Sequence, residues 1–430
     1  MDPGHSGELD VTREDIRRII VEDRDIRTDI DMAIVNTVHA IIAAAIRHRA
    51  SDIHFEPLQD ELRVRIRIDG ALAYLTSLRI ETEPAVIARL KVMAQMKLDE
   101  QRLPQDGRIS LTYKEGPLSG LYNVRVSVVP EQLIDRPGEK VVLRILPATT
   151  NITLDKLGLA GTLRKNLETI MKQPQGMFLL TGPTGSGKTT TLNAMLTQLN
   201  DISVNILTIE DPVEYHIPGV TQVQTHEMIG LTFASALRSF LRQDPDIIMV
   251  GEMRDMETAQ IAVRAALTGH LVLSTLHTND APAAIPRLLD LGIEQYLLPS
   301  TVIGVMAQRL VRTLCPKCKE PYKTTMHDLV TLGYQGEDVD REVTLYREKG
   351  CQACLNTGFS GRHGIYELMM VDTEMRNLLN RQQNATMDEV RNQAKKSGMR
   401  QLREEGIDLA LKGIATVEQV QRVVYTTDVW

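Results

Sequence analysis

A glycine-rich run at residues 182–189, with the sequence GPTGSGKT, constrains what this chain can fold into more than any other segment. The apolar residues 177–180 before it are typical of a buried strand, and residues 192–196 after it are typical of the first turns of a helix. At such a junction, glycines let backbone N–H groups turn onto phosphate oxygens, and the helix N-terminus adds its dipole. The segment therefore predicts a phosphate-binding loop between a strand and a helix.

The side chains of this loop indicate a nucleoside triphosphate. Lys188 can reach the β- and γ-phosphates, and the Thr189 hydroxyl can ligate Mg²⁺. A glycine-rich turn without a ligand is the alternative, which the full match in a strand–loop–helix context disfavours. We therefore expect ATP and Mg²⁺ as cofactors. The predicted nucleotide-binding residues are Gly182, Pro183, Thr184, Gly185, Ser186, Gly187, Lys188, Thr189 and Thr190.

Length and composition fit a globular protein of several domains. The 430 residues are too many for one core and suggest two or three domains. The net charge of −7 argues against a general nucleic-acid binder. The longest apolar run, residues 40–46, is far shorter than the roughly 18 residues of a membrane span, and residues 1–31 lack the apolar segment of a signal peptide. We expect a cytosolic protein that meets a membrane only through partners.

All four cysteines fall into two Cys-x-x-Cys pairs, Cys315 with Cys318 and Cys351 with Cys354. Each pair presents two thiolates from one tight turn, and a tetrahedral zinc site needs two such pairs. The gap between the pairs leaves room for a hairpin or a short helix. Disulfides are one alternative, which a cytosolic setting disfavours, and a redox dithiol is another, for which the thioredoxin-like context is missing. We expect one structural Zn²⁺ held by all four cysteines.

A charged tail and two folded blocks make up the chain. The tail, residues 1–31, has Ile16, Ile19 and Ile20 as the main hint of an apolar stripe, so we expect it to be mobile or weakly helical. The first block, residues 32–147, combines helical spacing near its start with strands of alternating polarity. It is therefore expected to be an α/β domain.

The clearest strand of the first block is residues 62–68, where apolar and charged residues alternate strictly. Asp69 and Gly70 then predict a hairpin turn. Three arginines on one side of this strand suit an anion-binding face, but a solvated sheet surface is the favoured interpretation. These arginines are Arg63, Arg65 and Arg67, and further strands are expected at residues 124–128 and 141–146.

The second block starts near Leu154 and alternates short apolar strands with helices, which is typical of a parallel sheet. The ligand of such a sheet lies beyond the carboxyl ends of its strands. Polar residues follow three strands, at 208–214, 251–252 and 275–278, where carboxylates suit Mg²⁺ or the water that attacks a γ-phosphate. Helix capping is the alternative for each carboxylate. The predicted strands are residues 177–180, 205–209, 247–250 and 271–274.

Residues 31–430 resemble the ATPases that drive type II secretion and type IV pilus assembly. In the second block the resemblance rests on an aspartate box, EDPVE, at 210–214, a Walker B segment, DIIMVGE, at 246–252 and a histidine box at 269–277. The cysteine pairs and residues 357–364 resemble the metal-binding insertion of that family. In the first block the matching segments are residues 50–57, 102–108 and 138–144.

The resemblance implies an α/β fold in two domains. Residues 32–147 would form an N-terminal α/β domain that carries arginine fingers, and residues 154–430 a RecA-like P-loop ATPase domain. The second domain would contain a Cys₄ zinc insertion at residues 315–364 and end in helices within residues 365–430. Family members are homohexameric rings in which nucleotide lies between the two domains.

The resemblance also implies roles for single residues. Glu214, the last glutamate of the aspartate box, is expected to activate the attacking water, and Glu252 to organise Mg²⁺, with Glu252 as the alternative base. Two arginines of the first domain match arginine fingers, which bring positive charge to the phosphates. His270 and His277 are expected to sense the γ-phosphate or a neighbouring subunit, and histidines that only orient a loop are the alternative. The predicted catalytic residues are Glu214, Glu252, Lys188, Arg125, Arg144 and His277.

The implied function is ATP hydrolysis that drives pilus or pseudopilus assembly through an inner-membrane platform protein, at the cytoplasmic face of the membrane. A nucleotide-gated scaffold of the same machinery and a DNA-uptake or conjugation motor are the alternatives. The cysteine pairs favour assembly or secretion over retraction. Two features depart from the family: only the short tail precedes the first domain, and segment 130–137, between the two arginine strands, is long and is expected to be a surface loop.

Overall fold

The computed structural model describes residues 19–21, 32–134, 136–147, 153–330, 340–381 and 385–424. The chain forms two compact units, residues 1–150 and 151–430. Their division falls in the segment that the sequence analysis leaves between the two predicted domains. The detailed limits of the tail, the domains and the insertion stay predictions.

The first unit is built on one antiparallel sheet. Its described elements are β1 (Ile19–Val21), α1 (Met32–Arg47), β2 (Asp52–Pro57), β3 (Glu61–Ile68), β4 (Ala71–Arg79), α2 (Glu83–Met93), β5 (Gln105–Tyr113), β6 (Gly120–Gln132) and β7 (Pro137–Pro147). The spatial order of the strands is β1-β5-β6-β7-β2-β3-β4. The predicted alternation lies within β3, and Asp69 and Gly70, both with positive φ, form the predicted turn into β4.

One face of this sheet is apolar and packs against both helices. Alternate strand residues such as Phe55, Val64 and Leu143 are fully buried there, together with Ile42 of α1 and Leu90 of α2. Because successive side chains of a strand point to opposite faces, the charged residues between them share the other face. The burial pattern of this unit therefore creates a polar sheet surface.

Residues 19–21 form a short strand at the edge of the sheet, where the sequence analysis expects a mobile or weakly helical tail. They pair antiparallel with β5, and Ile19 lies opposite Tyr113. An edge strand offers unpaired N–H and C=O groups, and β-branched residues favour the extended backbone. The expectation is therefore wrong at these residues, while Ile16 and the rest of the tail lie outside the described ones.

Half of segment 130–137 is strand, where the sequence analysis expects a surface loop. β6 runs to Gln132 and β7 begins at Pro137, and these two residues are paired. Near this end of the hairpin, Lys91 of α2 forms a buried ion pair with Glu139, with 2.6 Å between Nζ and Oε1. Removal of one partner would leave a buried charge, so the pair fixes the hairpin to α2.

The second unit is an α/β domain. Its described helices and strands are α3 (Gly161–Met171), β8 (Gly176–Thr181), α4 (Lys188–Leu199), β9 (Ile206–Glu210), β10 (Thr221–Gln224), α5 (Phe233–Phe240), β11 (Ile247–Val250), α6 (Met256–Leu267), β12 (Leu271–Leu276), α7 (Ala284–Asp290), α8 (Leu298–Thr301), β13 (Val302–Leu314), β14 (Glu320–Thr325), α9 (His327–Val330), β15 (Glu342–Arg347), β16 (Phe359–Met370), α10 (Thr373–Leu379), α11 (Met387–Lys396), α12 (Leu402–Leu411) and α13 (Val417–Val424).

Seven of these strands form one sheet in the order β10-β9-β11-β12-β8-β13-β16. All neighbours are parallel except β13 and β16, which are antiparallel. The four strands predicted from the sequence are β8, β9, β11 and β12. The sequence analysis did not predict β13 or β16, which extend the sheet beyond the phosphate-loop strand.

Strand β8 separates two apolar cores. Met177 and Leu179 pack on the side of α5, α6 and the C-terminal helices, whereas Phe178 and Leu180 pack on the side of α3 and α4. All four side chains are fully buried. A parallel strand covered on both faces needs apolar residues in sequence rather than in alternation, which is the pattern of residues 177–180.

The region between the two cysteine pairs contains both elements that the sequence left room for. β14 and β15 form a two-stranded antiparallel sheet, and the short helix α9 follows β14. Residues 331–339 of this region lie outside the described ones. Across the described parts of the chain, no helix is long and apolar enough to cross a membrane.

Candidate nucleotide site and cysteine cluster

The predicted phosphate loop joins β8 to α4. Gly182 and Gly187 have φ of 149° and 90°, and a Cβ on either would lie within 2.7 Å of Gln308 atoms. Glycine is therefore required at both positions, by backbone conformation and by the close approach of β13. The Ser186 hydroxyl is buried and finds no hydrogen-bond partner among the described residues. The loop thus combines a constrained backbone with a polar group that a ligand can satisfy.

Lys188 is the first residue of α4, and its side chain folds back over the loop. Its Nζ donates to the carbonyl oxygens of Gly182 at 2.7 Å and Pro183 at 3.1 Å. Burial lowers the pKa of Lys188 to about 8; Glu252 raises it and Arg309 lowers it further. Thr189 and Thr190 follow on the first turn and are half-buried. These residues fit a bound phosphate chain, with the ammonium group and the Thr189 hydroxyl at the start of the helix.

The aspartate box begins at the end of β9 with a buried carboxylate. Glu210 accepts hydrogen bonds from the Thr208 hydroxyl at 2.6 Å and from Gln222 Nε2 at 2.9 Å. Burial raises its pKa, and the charge of Glu214 raises it further. Glu214 itself is half-buried and lies close enough to raise the pKa of Tyr215 as well. Glu210 is thus an anchor within the fold, whereas Glu214 is the more accessible carboxylate of the box.

Glu252, after β11, lies between two side chains. Its Oε1 is 2.5 Å from Nη2 of Arg254, and its Oε2 is 3.3 Å from Nε2 of His277. Glu252 also raises the pKa of Lys188, so the two charges lie near each other. The structure therefore brings together three of the predicted catalytic residues, Lys188, Glu252 and His277. The sequence analysis did not predict a role for Arg254, although this residue follows Glu252 by only two positions.

His270 lies at the opposite end of its strand from His277. Its backbone carbonyl accepts from Gly176 N at 3.1 Å, at the start of β8, whereas the phosphate loop follows the end of β8. Its Nδ1 is 2.9 Å from the carbonyl oxygen of Ala265. The prediction that His270 contacts a phosphate at the loop is therefore wrong within this unit. The hydrogen bond supports the alternative, a histidine that orients a loop.

Four arginines line one row across the polar sheet face of the first unit. Strand pairing places Arg144 opposite Arg125, and Arg125 opposite Arg108. On the other side, Arg144 faces Asp52, with 3.1 Å from Nε to Oδ1, and Asp52 faces Arg67. The strand register thus places Arg108, Arg125 and Arg144 side by side on this face, with Asp52 between Arg144 and Arg67. The sequence analysis missed Arg108, because its neighbours become apparent only from the register.

Two further arginines of this face, Arg63 and Arg65, are tied to one carboxylate. Glu56 lies within 3.2 Å of charged nitrogens of Arg63, Arg65 and Lys140. Hydrogen bonds from Arg65 and Lys140 outweigh the effect of burial and lower the pKa of Glu56 to about 2. The pairing with Glu56 supports the interpretation of Arg63 and Arg65 as part of a self-compensated sheet surface.

The four cysteines converge in one cluster. Their Sγ atoms all lie within 4.8 Å of one another, and three pairs are separated by 3.7, 3.8 and 3.9 Å. A tetrahedral Zn²⁺ with Zn–S bonds of about 2.3 Å separates its sulfurs by roughly 3.8 Å. A disulfide needs roughly 2 Å, so these distances do not fit disulfides. The residue set and its spacing fit a structural zinc ion.

Backbone groups of the second cysteine pair also favour thiolates. The N–H groups of Cys351 and Gly358 donate to Sγ of Cys354 at 3.2 and 3.3 Å. Burial alone would raise the pKa of Cys354, but these donors help to lower it to about 7. Hydrogen bonds to a ligand sulfur hold it in place and stabilise its charge. The turn around Cys354 is therefore built for a metal-binding sulfur.

The lowered pKa of Lys188 predicts that ADP affinity depends on pH. Phosphate is attracted by the ammonium form, which is present below about pH 8. Affinity should be constant below that value and fall above it, by up to about tenfold per pH unit, because binding must then restore the proton. Calorimetric titration with ADP on both sides of pH 8 measures this. Lys188→Arg, whose charge persists, is the control and should show a flat profile; an equally flat wild-type profile would contradict the assignment.

The cysteine geometry predicts about one zinc per chain in protein purified without added metal. Since all four cysteines lie in the cluster, a thiol reagent should react slowly until a chelator removes the metal. Cys351→Ser should lose zinc and destabilise the region around the cluster. Elemental analysis and thiol titration measure both effects. Absence of metal from the wild-type protein, or full zinc occupancy in the variant, would rule out the site.

Comparison with known proteins agrees with this geometry. The sequence model of the family described as type II/IV secretion system protein matches residues 28–422. The type II secretion system protein E of Pseudomonas aeruginosa is 47% identical over 394 residues, which is 91% of this chain and 76% of that protein. The type IV pilus assembly ATPase PilB of Myxococcus xanthus is 44% identical over 416 residues, 96% of this chain and 71% of that protein.

Solved structures show the same relationship. The pilus retraction motor PilT with bound ADP is 28% identical, with a TM-score of 0.60, over 90% of this chain and 96% of that one. The ATPase DotB of Legionella pneumophila, 21% identical, shares the fold with a TM-score of 0.66 over 94% of this chain and 98% of that one. With its phosphate loop, its carboxylates at one sheet edge and its cysteine cluster, this chain belongs to the type II/IV secretion system protein family and is one of its ATPases.

Proposed function

We propose that this chain is a homohexameric motor in which ATP hydrolysis drives pilus or pseudopilus assembly. The observation that carries the proposal is the meeting of Lys188, Glu252 and His277 at the edge where the phosphate loop begins. A motor needs a site where phosphate chemistry and a movable contact coincide. His277, which is exposed and pairs with Glu252, provides that contact.

Within this proposal each part of the site has one task. The loop from Gly182 to Thr190 holds the phosphates, and Lys188 neutralises them. Thr189 and Glu252 would hold Mg²⁺ and its waters, and the ion would supply charge that stabilises the transferring phosphoryl group. Glu214 takes the proton of the attacking water, because it is the accessible carboxylate of the aspartate box. Glu210 is held by Thr208 and Gln222, so it fixes the strand end instead.

Arg125 and Arg144 act as arginine fingers in this proposal. Their support is the strand register, which places them directly opposite each other, with Arg108 beside Arg125, on the polar face of the first unit. Through these residues, each subunit of a ring would complete either its own phosphate site or the phosphate site of a neighbouring subunit. Hydrolysis would then depend on assembly and on closure of the first unit onto the second.

The machine served is a type II secretion or type IV pilus assembly system, with an inner-membrane platform protein as partner and the cytoplasmic face of that membrane as location. The relatives are named for both systems. The cysteine cluster favours secretion or assembly over retraction, as the sequence analysis anticipates. A nucleic-acid partner is not part of the proposal, since the net charge is −7.

Glu214→Gln should retain ADP binding and lose turnover by about a hundredfold or more, because general-base catalysis is removed. Lys188→Ala should lose nucleotide binding itself. Phosphate release and ADP titration measure the two properties, and Glu168→Gln on the exposed surface of α3 is the matched carboxylate control. Wild-type turnover by Glu214→Gln, with an inactive Glu252→Gln, would make Glu252 the base.

The same variants test the biological role. In the native organism, a chromosomal Glu214→Gln allele should abolish surface pili or secretion while the protein stays at its normal level. Pilus counts and secreted-protein assays measure this outcome. Intact pili and secretion in such a strain would refute the motor role, even if the purified protein hydrolyses ATP.

Arg144→Ala should lower turnover by about a thousandfold, the usual contribution of an arginine finger, with ADP affinity unchanged. The matched control is Arg67→Ala, which removes the other arginine partner of Asp52. Activity per chain should also rise with protein concentration as rings form. Normal turnover by Arg144→Ala, or activity that is constant down to monomeric concentrations, would argue against the ring mechanism.

A further inference from the structure

The segment after His277, residues 278–281, is held on one side by the phosphate-loop strand. The backbone N–H of Thr278 donates to the hydroxyl of Thr181, the last residue of β8, at 2.8 Å. Arg309 of β13 donates through Nη2 to the carbonyl oxygen of Asn279 at 2.6 Å. The position of this segment therefore depends on the strand from which the phosphate loop starts.

On its other side, the segment is joined to the C-terminal helices through Glu367 of β16. One carboxylate oxygen accepts from the backbone N–H of Ala281 at 2.9 Å, and the other accepts from that of Leu402 at 3.3 Å. Leu402 is the first residue of α12, where backbone N–H groups have no partner within the helix. Glu367 is 3% exposed. One buried carboxylate thus bridges two backbone segments that are distant in sequence.

A second link runs parallel to the first. Asp280 Oδ2 is 2.8 Å from Nη2 of Arg391 on α11, and Asp280 Oδ1 accepts from the backbone N–H of Ala283 at 2.9 Å. Both side chains of the ion pair are about three-quarters buried, with exposures of 24% and 26%. Together, Glu367 and Arg391 connect the segment to α12 and α11.

We propose that Glu367 is a positioning residue for hydrolysis: it couples the place of His277 at the phosphate site to the position of helix α12, and the Asp280–Arg391 pair adds a parallel link to α11. Movement of the segment at the phosphate site then moves its two anchors on the C-terminal helices, and displacement of these helices moves His277 relative to Glu252. The inference rests on the proposed nucleotide site, and it concerns a residue that touches neither phosphate nor Mg²⁺.

The chemistry of Glu367 fits a coupling role better than simple packing. Burial raises its pKa to about 7, against the effect of the Ala281 and Leu402 N–H donors. An apolar residue would avoid that cost of burial, but it would leave both N–H groups without an acceptor. The carboxylate serves both donors at once, with one oxygen for each backbone segment.

Glu367→Gln replaces one acceptor by an amide that donates, so the contact with one of the two backbone segments is lost. Arg391→Gln breaks the second link at a partly exposed position and serves if Glu367→Gln folds poorly. Arg381→Gln is the matched control. Arg381 pairs with Glu389, which lies on α11 as Arg391 does, but this pair does not involve residues 278–281. ADP titration of the wild-type protein tests the nucleotide site separately.

Turnover per ADP-binding site and the KM for ATP are measured for each variant. Misplacement of a group at a reacting centre can lower kcat about ten- to a hundredfold, so this loss is expected for Glu367→Gln and a smaller one for Arg391→Gln, with KM little changed. Hydrogen exchange at the start of α12 should slow on ADP binding in the wild type and in Arg381→Gln, but not in Glu367→Gln.

Two results would overturn the proposal. One is wild-type kcat in both Glu367→Gln and Arg391→Gln. The other is an activity loss that matches the loss of ADP-binding sites, with the ADP response of α12 intact, because Glu367 would then only stabilise the fold. Loss of kcat at full ADP occupancy, together with loss of the α12 response, supports it.

Discussion

The double-sided burial of β8 is the constraint on which the rest of the second unit depends. Met177 and Leu179 belong to one core, and Phe178 and Leu180 to the other, so the strand cannot shift or rotate without exposing apolar surface. Its neighbours β12 and β13 run parallel to it and fix its register. Strand β8 ends at Thr181, and the phosphate loop begins directly after it. Each polar residue that follows a parallel strand is consequently delivered to the same edge.

Three buried or half-buried glutamates of this unit differ in their partners, and the partners determine what each can do. Glu210 is satisfied by a hydroxyl and an amide, Glu252 by an arginine and a histidine, and Glu367 by two backbone N–H groups. Of these three, Glu252 is the one whose partners are themselves charged or titratable side chains. All three residues are glutamates, so the differences between them come from the partners that the fold places around each carboxylate.

The sequence predicted those features that depend on neighbouring residues. The strict alternation in β3, the apolar run of β8, the phosphate loop and the cysteine pairs each carry their information within about ten residues. Features that arise from pairing of distant segments were missed. They include β13 and β16 and the place of Arg108 beside Arg125.

Edge contacts also decide whether a local preference is realised. Residues 19–21 are extended because β5 offers them a partner, and residues 130–132 are paired because the two long strands continue into this segment. A single sequence contains the propensity of these residues but not the identity of the strand beside them. The roles of Glu214, Arg125 and Arg144 likewise depend on geometry beyond their own segments, and they stay predictions.

The row formed by Arg108, Arg125 and Arg144 stands on three adjacent strands of one sheet. Backbone hydrogen bonds between the strands hold the Cα atoms of these three residues at fixed distances from one another, unlike those of residues on separate loops. An anion that approaches this face therefore meets the three arginines together, with the Asp52 carboxylate beside Arg144. Any binding of an anion at this face should weaken as ionic strength rises, because salt screens exposed charges.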